Sequence, residues 1–188
     1  MDPKAFLEFM HTAERLKDTT RHCTTSNRRT ESVAEHCWRV ALMAMLLKHV
    51  FPEADMQKVI QMCLIHDLGE CFTGDIPTFQ KTDADRQEED TILMNWIRRQ
   101  PTEIADDLTG LFCELHAAET TEAKICKALD QIEAVIQHNE SPISTWSENE
   151  FELNQIHAFR SAAFSEWLTA LRQCVLEETL DKIANNKE

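Results

Sequence analysis

A chain of 188 residues with 43% hydrophobic content can bury one good core, and its length suggests a single domain. Its formal charge of -14 argues against a nucleic-acid polymer as partner, because binding a phosphate backbone needs clustered Lys and Arg. Seven Cys without a Cys-x-x-Cys pair suggest neither a zinc ribbon nor a thioredoxin-type dithiol, and they read as reduced packing residues.

Only three Gly and five Pro interrupt the chain, Tyr is absent, and nearly every periodic segment repeats at about 3.6 residues, so an all-α fold is expected. In chain order, helices are predicted near residues 3–17, 32–49, 55–70, 84–99, 103–117, 121–139 and 149–183, the last possessing an optional break. The first is followed by an irregular stretch from Asp18 to Thr30. Ser32 and Glu35 then fit a capping box, in which each side chain satisfies the other's backbone amide. Along that helix Val33, His36, Cys37, Val40, Ala44 and Leu47 recur at three- and four-residue steps, which turns His36 inward. The next helix carries Val59, Cys63, His66, Asp67 and Glu70 on one stripe, apolar at first and ionisable over its last two turns. Gly69 and Gly74 then permit a turn into a second irregular stretch, Cys71 to Thr82. Further on, Cys126, Asp130 and Ala134 share a helix face, and Ser141-Pro142 marks the clearest loop. In the C-terminal segment, Leu153, Ile156, Phe164, Trp167, Leu168, Leu171 and Val175 form a stripe that completes the core or meets a second subunit.

Three helices thus aim His36, His66, Asp67 and Asp130 into apolar surroundings, where an ionisable group costs free energy unless paired. Each alone has a plain structural reading: an inward His hydrogen-bonded in the core, a buried Asp capping a loop. Together they make a set of imidazole and carboxylate donors suited to a divalent cation. Glu70, one turn beyond His66, can lie over the open side of such a cation and orient or deprotonate a water.

The pattern His36, His66-Asp67 and Asp130 is similar to that of the HD-domain metal-dependent phosphohydrolases. The segments Arg28 to His36, His66 to Glu70, Gly74 to Thr78, Thr121 to Lys124 and Ala128 to Gln131 resemble the 5'-deoxynucleotidase branch, and the likeness runs from about Arg21 to about Gln137. Cys71 follows Glu70, where hydrolases of the alarmone guanosine tetraphosphate carry a second acidic residue, and the absence of Tyr removes the Gly-Tyr-Pro signature of the cyclic dinucleotide phosphodiesterases. A Glu at position 70 disfavours the di-iron oxygenases that tend to carry Lys there.

The resemblance implies a compact multi-helix HD-domain bundle over 1–188, with a metal-site core at about 21–137 and a C-terminal helical segment at about 149–183. It also implies hydrolysis of deoxyribonucleoside 5'-monophosphates, with His36, His66, Asp67 and Asp130 holding a divalent metal (Co, Mn, Mg, Fe or Zn), Glu70 and Asp75 catalytic, and Arg21, His22 and Thr78 contacting substrate. His22 is a departure, since the branch commonly has Trp after this Arg. Two alternatives stay open: an HD phosphohydrolase for another small phosphate ester or a nucleotide triphosphate, and a non-catalytic metal- or nucleotide-binding regulatory module. A homodimer is expected by family analogy. With no signal peptide and no apolar stretch long enough for a bilayer, a cytoplasmic location and no membrane partner are expected.

Overall fold

A computed structural model describes residues 1–185; residues 186–188 of the expected domain lie outside them. The fold is helical, as its periodicity predicts, with one small sheet. Helix α1 (Pro3–Ala13) starts at Asp2, whose carboxylate accepts from the amides of Lys4 and Ala5. It tightens into a 3-10 turn over Glu14–Lys17, so the predicted helix 3–17 is α-helical only to residue 13.

The stretch expected to be irregular holds an antiparallel hairpin, β1 (Thr20–Thr24) and β2 (Thr30–Ser32), with Thr20 opposite Ser32 and Thr24 opposite Thr30. Five- and three-residue strands are too short for alternation to stand out, and Arg28 supplies the left-handed turn residue at φ 63° where Gly or Asn would have been the visible signal. Ser32 then caps α2 (Val33–Leu46) through the predicted box: its amide donates to Glu35 (2.9 Å) and its hydroxyl accepts from the Glu35 amide (3.3 Å). Arg29 forks onto the same Glu35 carboxylate at 2.9 and 2.6 Å.

Helix α3 (Met56–Ile65) stops short of the predicted residue 70. Residues His66 to Gly69 form turns, with Leu68 donating to the Ile65 carbonyl, and a single-turn helix α4 (Glu70–Thr73) follows. Thr82 and Asp85 make a second capping box at the start of α5 (Asp83–Ile97). Helices α6 (Thr102–Ala117) and α7 (Thr121–Glu140) follow. The C-terminal segment is broken into α8 (Glu150–Ile156), α9 (Phe159–Ala162) and α10 (Glu166–Asn185), with Ala158 at φ 67° in the first break.

The core lies where α2, α3 and α7 pack together. Val40, Ala44, Met62, Cys63, Ile125, Leu129, Ile132 and Leu168 fill it, while Leu16, Val33, Cys37, Leu68, Leu93, Ile97 and Phe112 form a second cluster towards α5 and α6. Replacing one of these fully buried Leu or Ile residues by Ala should cost about 2–5 kcal/mol. The C-terminal stripe divides: Leu168 and Val175 complete the core, whereas Ile156, Phe164 and Trp167 stay exposed. No helix among the described residues is long and apolar enough to cross a membrane.

Candidate metal centre

The packing that buries the apolar faces of α2, α3 and α7 brings His36, the turn after α3 and Asp130 to one end of the core. There four side-chain atoms converge. His36 Nε2 lies 3.2 Å from His66 Nε2, 3.1 Å from Asp130 Oδ1 and 3.7 Å from Asp67 Oδ2. His66 Nε2 lies 3.2 Å from Asp67 Oδ2 and 3.6 Å from Asp130 Oδ1. Donor atoms bound to one ion at about 2.1 Å sit roughly 3.0 Å apart in octahedral and 3.4 Å apart in tetrahedral geometry, so these separations suit a shared divalent cation.

Hydrogen bonds at the far side of each ring leave both Nε2 atoms available as donors. His66 Nδ1 donates to the Cys63 carbonyl at 2.8 Å. His36 Nδ1 donates to the carboxylate of Glu133, which is fully buried. With each ring proton fixed at Nδ1, the Nε2 lone pairs point into the cluster, the arrangement imidazole ligands use.

The electrostatics ask for a cation. Burial raises the pKa of Asp67, but His66 beside it overrides that and brings it down to about 2. Asp130 is likewise held well below the usual range by hydrogen bonds from His36 and His66, against its burial. Burial opposes protonation of the two histidines, yet the adjacent carboxylates outweigh it and raise the pKa of both, His66 well above its ordinary value.

Glu70 opens α4 beside this cluster and is 4% exposed. Its Oε1 is 3.7 Å from Lys81 Nζ, and its Oε2 is buried without a hydrogen-bond partner. Burial, then the charges of Asp67 and Asp75, push its carboxyl up to about 9. Asp75 follows Gly74, which at φ 79° supplies the turn no other residue type makes easily, and burial raises its pKa too. Lys81 is held by Glu89 at 2.6 Å.

All nine residues singled out in the sequence belong to this region. Arg21, His22, Asp67, Glu70, Asp75, Thr78 and Asp130 line one cleft together with Lys81, Arg86 and Lys127, and His36 and His66 lie against its floor. Arg21, on β1, is anchored by Glu31 (3.2 Å) and reaches Asp67 (3.8 Å). An adjoining pocket of about 190 Å³ shares Arg21, His22, Thr78, Ala134 and His157 with the cleft and adds Phe79, Val135, Leu153 and the buried amide of Asn154, whose Nδ2 has no partner. Sequence reasoning missed Glu133, Glu31, Lys81's link to Glu70, and the His138 and Glu150 walls of the pocket. For Glu133 a signal existed, since three residues after Asp130 on one helix it shares the face that meets His36.

The comparisons agree with this architecture. The model of the HD domain family matches residues 13–172. The 5'-deoxynucleotidase HDDC2 of Homo sapiens is 30% identical over 142 residues, covering 73% of this chain and 68% of that protein. Its Mus musculus counterpart is 32% identical over 113 residues, and there the match spans little more than half of the relative, 55%, and 58% of this chain. Among solved structures, a predicted metal-dependent phosphohydrolase from Magnetospirillum magnetotacticum MS-1 superposes with a TM-score of 0.80 at 25% identity, covering 95% of this chain and 93% of that one. Matching sequence over most of its length and matching a metal-dependent relative in fold, the chain belongs to the HD domain family.

Proposed function

We propose that this protein is a metal-dependent 5'-nucleotidase that hydrolyses deoxyribonucleoside 5'-monophosphates to deoxyribonucleoside and phosphate. The observation that carries the reading is a converging His-His-Asp-Asp donor set beside the buried carboxylate of Glu70, whose Oε2 has no hydrogen-bond partner, in a cleft that adjoins a pocket of about 190 Å³. The names of the relatives supply the ester class.

His36, His66, Asp67 and Asp130 would hold the cation, Co, Mn, Mg, Fe or Zn, which supplies Lewis acidity towards the phosphoryl group and acidifies water near it. Arg21 and Lys81 face the phosphate with the cationic charge an anion needs, Arg21 kept in place by Glu31. Thr78, lining both cleft and pocket, offers a hydroxyl to the phosphate. Glu70 takes the proton of the attacking water: burial beside Asp67 and Asp75 raises its proton affinity, and the positive charge of the cation those ligands would hold would draw it back towards the neutral range in which a general base works. Asp75, also raised, returns a proton to the departing 5'-oxygen as the phosphorus-oxygen bond breaks. The sugar and base occupy the adjoining pocket between Phe79, Val135 and Leu153, with His22 at its entrance and the Asn154 amide free to donate to a base acceptor.

The whole chain is read as one catalytic unit that works in the cytoplasm as a homodimer. Cysteines that are all unpaired suit a reducing compartment, and exposed Ile156, Phe164 and Trp167 offer apolar surface to a second copy. A monomer in sedimentation at working concentration would remove the dimer.

Phosphate release is the test of activity. Chelated protein should release none from deoxyribonucleoside monophosphates, and returning Mn, Co, Mg, Fe or Zn should restore it. Asp130→Ala should lower metal content as well as turnover. Undiminished hydrolysis by metal-free protein would overturn the reading.

A further inference from the structure

We propose that His22, His138 and Glu150 form a second metal site, suited to zinc, in the wall of the pocket beside the HD cluster. The three come from β1, the last turn of α7 and the start of α8, and none belongs to the first cluster. His22 Nε2 is 2.8 Å from Glu150 Oε1, His138 Nε2 is 3.7 Å from the same oxygen, and all three donor atoms lie within 4.8 Å of one another. Ligands of one ion at about 2.1 Å stand roughly 3.0–3.4 Å apart, so small side-chain adjustments close the set around a cation.

The surroundings hold these groups in position. Glu150 Oε2 accepts from the Ser147 amide at 2.6 Å, which leaves Oε1 for the cluster. The His22 ring meets Phe79 edge-on at 5.6 Å, and the His138 ring meets Trp146 edge-on at 6.0 Å. Arg21 lines the same pocket, with its guanidinium 3.2 Å from Glu31 and 3.8 Å from Asp67.

Two imidazoles and one carboxylate, all lining a cavity of about 190 Å³, leave open positions for water or for a ligand atom, the composition of an open zinc site. An ordinary hydrogen-bonded clasp, with His22 donating to Glu150 and no ion, is the rival use of the same residues.

Zinc stoichiometry separates them. Protein stripped with a chelator, given excess zinc, desalted and assayed by elemental analysis should carry about two zinc per chain. Asp130→Ala should carry about one, and so should Glu150→Gln and His22→Ala. His22 is partly exposed, so its removal leaves the core untouched, and circular dichroism checks that each variant folds. About one zinc in the wild type, or two retained in both pocket variants, overturns the proposal. Cobalt gives a second readout: nitrogen and oxygen ligands produce visible bands without a thiolate charge-transfer band. A thiolate band accompanying the second equivalent would assign it to cysteine and equally overturn the site. A chain that binds about two zinc yet releases no phosphate would retire the nucleotidase reading and leave this one standing.

Discussion

At the scale of single residues, two hydrogen bonds decide which nitrogen each cluster histidine offers. The Cys63 carbonyl fixes His66, and Glu133 fixes His36 while adding a negative charge that makes the ring a better donor. Glu133→Gln keeps the shape and loses that charge, so divalent metal affinity should fall on the order of tenfold or more in competition with a chromophoric chelator. An unchanged affinity would reduce Glu133 to a packing residue. Glu70 makes the complementary case, because Lys81 is its nearest cation and one of its oxygens has no partner. Glu70→Gln should retain metal while kcat falls on the order of a hundredfold or more. Metal content and kcat measured on the same preparation test this, and equal turnover in wild type and variant would take Glu70 out of the chemistry.

At the scale of elements, the early end of α3 matters most. Neighbouring residues on a continuous α-helix point about 100° apart and do not face each other. Because the chain leaves the helix at His66, His66 Nε2 and Asp67 Oδ2 come within 3.2 Å and address one point. Gly69, predicted to permit a turn, has ordinary right-handed helical dihedrals at φ -59°, and what it supplies is room: a Cβ there would lie 2.7 Å from Glu89 Cγ. Glu89 holds Lys81, and Lys81 faces Glu70, so this contact reaches the chemistry. Gly69→Ala should therefore destabilise by about 1–3 kcal/mol and also lower kcat. Chemical denaturation and steady-state kinetics read the two effects, and a variant wild-type in both would show that Glu89 moves aside freely.

At the scale of the whole molecule, site and fold stabilise each other. His36 meets Glu133, 97 positions further along the chain, and a cation held between α2, α3 and α7 binds the folded state alone, so at 100 times its Kd it should add about 2.7 kcal/mol of stability. The melting temperature should drop on chelation. His138 gives the metal-free protein a second dependence. Burial lowers its pKa from 6.5 to about 4, so between those values the unfolded chain binds the extra proton and stability is lost as pH falls through that window. The shift corresponds to roughly 3 kcal/mol between pH 6.5 and 4. In chelated protein, His138→Gln should lose less stability than wild type over this range. Parallel curves for the two would mean that His138 titrates normally.

The helical class, the Ser32–Glu35 capping box and the convergence of His36, His66, Asp67 and Asp130 were legible in the sequence, because periodicity and capping are local and ionisable residues on apolar stripes stand out. The resemblance to a family added Asp75, Arg21, His22 and Thr78, which the fold then gathers in one cleft. Tertiary structure alone decided the hairpin that carries Arg21 and His22, whose short strands rest against α7 and α2. The same holds for the pairing of Arg21 with Glu31 and the meeting of His22, His138 and Glu150. Those contacts join residues far apart in sequence, or on short irregular elements, and packing in three dimensions selects them without leaving a periodic mark on the chain.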